Sequence, residues 1–188
     1  MLKRTTKRGV LLTGRLLFFS LILLFLSFCA GIPHVEKSKV GQIIENVPFY
    51  PLEMYHCGPA SLAGVLNYWG VTVLPEEIAA EIYSRSARGT LNLDMILYTE
   101  RRGLKTTHYE GSLEDVKKKI DAGYPLIVMV DYGFWIYQQY HFMVVLGYYE
   151  NGVVVNSAKD QHKFNPLSEF LKSGKRTRYW SLLITSKR

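Results

Sequence analysis

The sequence predicts an α+β domain in which helices pack on an antiparallel sheet. Three observations support this fold class. Apolar residues recur at helical spacing in the first half of the domain. Short apolar runs rich in β-branched residues fill the second half. Between two of these runs stands Asn151-Gly152, a dipeptide typical of a two-residue hairpin turn.

Local start and stop signals place the helices. The first begins at Gly58 with Pro59 in its first turn, where a missing N–H costs nothing. The second opens at Pro75 and is followed by two acids that suit the N-terminal dipole. A capping pattern at Ser112 starts the fourth. The predicted helices cover about residues 58–70, 75–83, 91–103 and 113–123.

The strands follow from apolar content. A short strand is predicted at 105–109, before the fourth helix. Buried strands are predicted for "PLIVMVD" (125–131) and "HFMVVLGYY" (141–149), and "VVVNS" (153–157) returns from the hairpin turn. A short helix at about 166–173 precedes the last strand, "YWSLLIT" (179–185).

The first 33 residues are typical of an export signal or membrane anchor. A basic stretch precedes 13 residues without a charge, and small residues follow. Leu26-Ser27-Phe28-Cys29 resembles a lipoprotein signal in which Cys29 becomes the lipidated N-terminus. Phe28 departs from that pattern, and ordinary signal cleavage or a retained anchor remain alternatives. All three place the domain outside the cytoplasm, in a bacterial cell envelope, with residues 34–46 as a tether and 47–188 as the folded domain.

The net charge of +7 belongs to the N-terminal segment. Five basic residues and no acid lie within residues 1–28, so the remaining chain has 18 basic and 16 acidic residues, a net charge of +2. The excess of positive charge therefore does not indicate nucleic-acid binding. No basic patch with interleaved aromatic residues is evident either, so the sequence predicts no nucleic-acid partner.

Cys57 is the only cysteine after the N-terminal segment. It cannot form a disulfide within the domain, which leaves a buried apolar thiol, an intermolecular link, a metal ligand or a nucleophile. A helix N-terminus lowers the pKa of a thiol, and Cys57 directly precedes the first helix. A metal site built from His56, Cys57 and His141 has no ligand spacing that recommends it.

A thiol nucleophile needs a base and a group that orients the base. His141 begins a predicted strand, and Asn156 lies on the returning strand of the same hairpin. Both lie away from the turn, so we expect them to face each other across the ladder. The order Cys57, His141, Asn156 matches a papain-like arrangement.

The stretch "VPFYPLEMYHCGPASLAGVLNYWG" resembles the opening of the bacteriocin-processing-peptidase-like cysteine peptidases, which are papain-like in fold. The resemblance continues through "GTLNLDMILYTERRGL", "AGYPLIVMV" and "HFMVVLGYYENGVVV", covers about residues 46–186, and is strongest for the stand-alone, lipoprotein-type branch. It implies that Cys57 is the nucleophile and His141 the general base and acid, with Asn156 near the position of the orienting residue.

One departure concerns the oxyanion hole. Relatives carry a Gln a few residues before the cysteine, whereas Leu52 occupies that region here. Losing one such donor costs on the order of 10²–10³ in rate. Gln138 and Gln139 are substitutes by chain proximity alone. They belong to "DYGFWIYQQY" (131–140). Three interpretations of its aromatic residues are open: they line a substrate groove, they cover the end of the sheet, or they face lipid.

The sequence therefore predicts an exported cysteine peptidase that needs no cofactor, acts on a peptide or protein, and is held at a membrane by its N-terminus. Transfer of the acyl group to an amine would use the same residues. The alternative is a catalytically weak or inactive envelope lipoprotein that binds a peptide or protein partner.

Overall fold

The structure, a computed structural model, describes residues 40–51 and 56–186. The helices within them are α1 (Cys57–Tyr68), α2 (Pro75–Ile82), α3 (Asn92–Arg101), α4 (Leu113–Asp121) and α5 (Leu167–Lys175). The strands are β1 (Val40–Ile43), β2 (Tyr83–Ser84), β3 (Gly89–Thr90), β4 (Leu104–Glu110), β5 (Leu126–Asp131), β6 (Tyr140–Tyr149), β7 (Gly152–Ser157), β8 (Asp160–Pro166) and β9 (Trp180–Ser186).

Seven strands form one antiparallel sheet. Six of them have the order β4-β9-β5-β6-β7-β8, and the seventh, β1, pairs with the end of β6 that extends beyond the first residue of β5. Strands β2 and β3 form a separate two-stranded ribbon. The predicted α+β class is thus confirmed. The hairpin turn lies one residue before the predicted Asn151-Gly152 position: Tyr149 pairs with Gly152, so Glu150 and Asn151 form the turn and Gly152 begins β7.

The helices begin where local chemistry favours them. Pro75 is the first residue of α2, and the Ser112 side chain caps α4 by accepting the Asp115 N–H at 3.1 Å. Helix α1 is buried along most of its length, which agrees with its nearly continuous apolar sequence. Its Leu62 and Leu66 are fully enclosed in the same core as the apolar residues of β5, β6, β7 and β9.

Four strands lie outside the sequence prediction: β2 and β3 of the short ribbon, and β1 and β8 of the large sheet. β1 lies within residues 34–46, the predicted tether, so the sheet begins before residue 47. β8 is an edge strand with mostly exposed polar side chains, and it therefore lacks the apolar signal of a buried strand. β1 is held by its pairing with β6, and β8 by its pairing with β7. A local sequence pattern does not reveal such a partner.

The backbone at Pro48 passes very close to α1. A Cβ added at Gly64 would lie 2.7 Å from the backbone oxygen of Pro48. Alanine ordinarily favours a helix by about 1 kcal/mol over glycine, but overpacking against backbone costs about 1–3 kcal/mol. We expect Gly64→Ala to lower the free energy of unfolding measured in urea. Gly89→Ala is the control, since its nearest atom would be 3.9 Å away; equal stability of the two variants would contradict this close packing.

Within residues 40–51 and 56–186, no helix is both long enough and apolar enough to cross a membrane.

Candidate active site

Cys57 is the first residue of α1, and its thiol is free and half-buried. Burial raises the pKa of this thiol above its ordinary value. Backbone N–H groups of Phe142, Gly58 and Cys57 itself act in the opposite direction, because they favour the thiolate. Burial wins. The expected lowering of the pKa by the helix N-terminus is therefore outweighed in the resting protein.

The first turn of α1 is fixed from one side by the β2–β3 ribbon. A Cβ at Gly58 would lie 2.8 Å from the Thr90 Cβ, so only glycine allows this approach. On the other side, the backbone N–H of Phe142, at the start of β6, acts to lower the pKa of the Cys57 thiol. Cys57 thus lies between the ribbon and the central strand.

His141 is buried near the start of β6, opposite Val130 of β5. A 2.8 Å hydrogen bond joins its Nε2 to Ser157 Oγ, and the Tyr132 ring lies 5.7 Å from the imidazole. Burial lowers the His141 pKa to about 4, and the positive charge of Lys163 acts in the same direction. The imidazole is therefore neutral at neutral pH.

The predicted pairing of His141 with Asn156 across the hairpin is wrong. A regular ladder continued from the Tyr149–Gly152 pair would place Asn156 on the face of the sheet that carries His141. A bulge between Val145 and Gly147 shifts the register by one residue, so Asn156 pairs with Val144 instead. Since successive residues of a strand face opposite sides, this shift puts Ser157 on the face of His141.

Asn156 instead lies beside Cys57. It lines a small cavity of about 20 Å³ together with Cys57, Ser61 and Phe142. Its Oδ1 accepts the His162 N–H at 3.0 Å, while its Nδ2 is buried and has no hydrogen-bond partner among the described residues. A cavity of this size holds about one water molecule.

Ser157 is the site residue that sequence reasoning missed. A serine carries no catalytic signal, and the bulge that turns it toward His141 depends on packing outside the hairpin. A Cβ at Gly147 would lie 2.8 Å from Ile43 Cγ1, so β1 approaches β6 closely beside the bulge. A glycine inside a strand was the one available hint of a bulge or close approach.

A larger groove opens on the other side of Cys57. Its volume is about 740 Å³, within the range that accommodates small ligands and peptide side chains. Cys57, Met129 and Phe142 form part of its wall. The remaining lining comes from residues 87–92 and 138–140.

The other predicted site residues fall into two groups. Gln138 and Gln139 line the groove with Cys57. Leu52 and Cys29 lie outside the described residues. Among residues 40–51 and 56–186, no group of three His, Cys, Asp or Glu residues could hold a metal ion.

The buried neutral imidazole makes stability depend on pH. His141 has a pKa of about 4 when folded and an ordinary value of 6.5 when unfolded. Between these values the unfolded chain binds a proton that the folded protein does not, so stability falls as pH falls. We expect a loss of about 3 kcal/mol from His141 between pH 6.5 and 4. Urea unfolding at several pH values should show His141→Gln with a flatter dependence; parallel curves would contradict the buried neutral histidine.

A cysteine at a helix start, next to a strand that carries a buried histidine, is the arrangement of a thiol peptidase. The chain belongs to the Peptidase_C39 like family, whose model matches residues 43–181. This match confirms the resemblance of the chain to bacteriocin-processing-like, papain-like cysteine peptidases.

Solved structures show the same fold. A C39-like peptidase from Bacillus anthracis aligns with a TM-score of 0.67 at 19% identity, over 80% of this chain and 99% of that one. A double glycine motif protease from an AMS/PCAT transporter, in complex with the leader peptide, aligns with a TM-score of 0.58 at 22% identity, over 82% and 96%. The peptidase domain of Streptococcus ComA, a bifunctional ABC transporter, aligns with a TM-score of 0.57 at 19% identity, over 76% and 100%.

No curated protein matches this sequence.

Proposed function

We propose that this protein is an exported cysteine peptidase that hydrolyses peptide bonds through Cys57 and His141. One observation carries the proposal. Cys57 begins α1 at the wall of a groove. The backbone N–H of Phe142 acts on its thiol, and Phe142 directly follows His141 in β6. A nucleophile and a base on adjacent rigid elements are what acyl transfer requires.

The resting pair is a thiol and a neutral imidazole. Nε2 of His141 carries the proton and donates it in a hydrogen bond to Ser157 Oγ, which leaves Nδ1 to accept the thiol proton as Sγ attacks the peptide carbonyl. His141 then protonates the leaving amine, and a thioester remains on Cys57. Water, deprotonated by His141, releases the acyl group and restores the thiol. This chemistry uses no cofactor.

Ser157 and Asn156 support the pair from neighbouring positions. The Ser157 hydroxyl holds the tautomer in which Nε2 carries the proton. Asn156 is a positioning residue, since its bond to the His162 N–H fixes the β7–β8 connection next to Ser157. The Cys57 N–H supplies one oxyanion donor. Gln138 and Gln139, in the groove wall, are the candidates for the donor that Leu52 cannot supply.

The substrate is a peptide or protein segment. A structural relative with the same fold is known in complex with a leader peptide. The groove at Cys57 is large enough for several peptide side chains and opens beside the proposed nucleophile. Lipidation at Cys29, or retention of the apolar segment that precedes it, would hold the peptidase at the outer face of a membrane.

The pH dependence of iodoacetamide alkylation tests the proposed pair. Unassisted, a thiol with a raised pKa reacts only at alkaline pH. Assisted by a base with a pKa of about 4, it should react from about pH 5 upward. We expect the neutral-pH reaction in the wild type and its loss in His141→Gln. Identical profiles for the two proteins would contradict an activated pair.

A catalytically weak peptide-binding protein is the second candidate, and a specific observation favours it. A hydroxyl, rather than a carboxylate, contacts His141, so the site holds no negative charge on Nε2 to stabilise an imidazolium. The His141 pKa of about 4 is correspondingly far below the pH at which a base works best. Peptide binding without cleavage by the wild-type protein would establish this candidate.

A further inference from the structure

The loop between β5 and β6 displays four large apolar side chains to solvent. Phe134, Trp135, Ile136 and Tyr137 are 86%, 81%, 77% and 80% exposed. Isolated exposed apolar residues are ordinary, but a contiguous cluster of this kind marks an interaction surface. We call residues 132–139 the aromatic loop.

The aromatic loop is held rigidly although its tip is exposed. The Asp131 carboxylate is buried and accepts N–H groups from Gly133 at 2.8 Å and Gln139 at 2.7 Å. It also forms a 2.9 Å ion pair with Arg176 Nε. Burial alone would raise the Asp131 pKa, but these N–H groups and Arg176 lower it, so the carboxylate stays charged.

The same arginine fixes the tip. Its Nη2 donates to the carbonyl oxygens of Trp135 and Tyr137, at 3.5 and 3.3 Å. The Tyr137 N–H closes a turn on the Phe134 carbonyl at 2.9 Å. A Cβ at Gly133 would lie 1.9 Å from the Tyr137 carbonyl oxygen, which shows how tightly the loop folds on itself. These bonds hold the backbone of the tip, and the apolar side chains of residues 134–137 are exposed to solvent.

The tip is separate from the proposed substrate groove. That groove takes Gln138, Gln139 and Tyr140 from the base of the loop, and its lining includes none of residues 134–137. An apolar pocket for substrate would need these side chains to face Cys57. The tip is therefore not part of the wall of this groove.

Basic residues adjoin the aromatic loop. Residues 167–178 contain four cations and one acid, Glu169. Arg176 and Arg178 form ion pairs with Asp131 and Glu110, which leaves Lys172 and Lys175 to attract anions. Arg176 contacts the loop directly, Lys172 lies one helical turn before it on the same face, and Lys175 is its neighbour. Trp, Tyr and Phe prefer the lipid–water boundary, and cations beside them attract anionic headgroups.

We infer that the aromatic loop inserts into the interface of a lipid bilayer that contains anionic headgroups. The chemistry of the tip favours lipid over a protein partner, because exposed aromatic and aliphatic side chains stand beside cations, a combination that suits the boundary of an anionic bilayer. Tyr132 and Tyr140, each half exposed, would lie at the headgroup level. Insertion would place the groove mouth, at the base of the loop, next to the membrane surface.

Quenching of tryptophan fluorescence tests this inference in the full chain, mixed with vesicles of neutral or anionic phospholipid that carry brominated acyl chains. Trp135→Phe gives the background of the remaining tryptophans, so the difference from the wild type reports Trp135. Trp135→Phe with Leu74→Trp is the matched control. Leu74 is 52% exposed and lies beyond the far end of α1, a helix about 18 Å long whose other end carries Cys57.

We expect the Trp135 emission to shift to the blue and to be quenched in anionic vesicles, and the tryptophan at position 74 to remain unquenched. Lys172→Gln and Lys175→Gln should each weaken insertion about five-fold. Quenching of Trp135 no stronger than that of the control, or no association of the chain with vesicles, would overturn the inference. Protection of Trp135 by an added peptide and not by lipid would overturn it as well. None of these readings depends on cleavage activity, so they are independent of the proposed peptidase function.

Discussion

Cys57→Ser is expected to lower kcat/KM for peptide cleavage by at least about 10⁴-fold, because a hydroxyl is a far weaker nucleophile than a thiol with a positioned base. The substitution changes one atom in a half-buried side chain, so the free energy of unfolding should change by less than about 1 kcal/mol. Cleavage of a peptide library, followed by mass spectrometry, measures the first quantity. Urea unfolding measures the second.

A double-mutant cycle sharpens this prediction. Groups that act as one unit lose most of their effect with the first substitution. His141→Gln should therefore cost nearly as much activity as Cys57→Ser, and the combined variant should be no worse than either. Full activity in Cys57→Ser, or losses that multiply in the double variant, would show that the two residues do not act together.

Ser157→Asp is expected to raise peptidase activity by about 10- to 100-fold. A carboxylate within hydrogen-bond distance of His141 Nε2 stabilises the imidazolium and raises the pKa of His141 from about 4 by about 1–3 units. The histidine then becomes a stronger base at neutral pH. The pH profile of kcat/KM measures both effects, and thermal unfolding checks that the buried carboxylate is tolerated.

Asn156→Asp is the matched control for this variant. It introduces the same charge one residue earlier, on the opposite face of β7 and beside the cavity that Cys57 lines. A carboxylate there raises the pKa of the thiol further and should lower activity. A gain in Asn156→Asp and a loss in Ser157→Asp would mean that Asn156, and not Ser157, orients the histidine.

The sequence was sufficient for those parts of the fold that depend on local chemistry. Helix α4 begins at its Ser112 cap, α2 begins at Pro75, and the β6–β7 turn lies within one residue of Asn151-Gly152. The position of Cys57 at a helix start was predictable for the same reason. Cys57-Gly58-Pro59 is itself the signal for the beginning of α1.

The partner of His141 was not predictable, because the register of a hairpin is not set by its turn alone. A bulge at one position exchanges Ser157 for Asn156 on the face of His141. That bulge lies where β6 changes its partner from β5 to β1, and β1 precedes it by about a hundred residues. The protonation states were hidden for a similar reason. Burial, which opposes the helix N-terminus at Cys57, comes from the assembled core.

The position of β9 bears on how the chain acquires its structure during synthesis. β9 is the last strand, yet it lies between β4 and β5 and joins them into one sheet. Until β9 has been synthesised, β4 lacks a neighbour among the described strands and the sheet remains divided. Contacts between such distant parts of a sequence form slowly. The joining of β4 to the rest of the sheet is therefore expected to be a late step of folding.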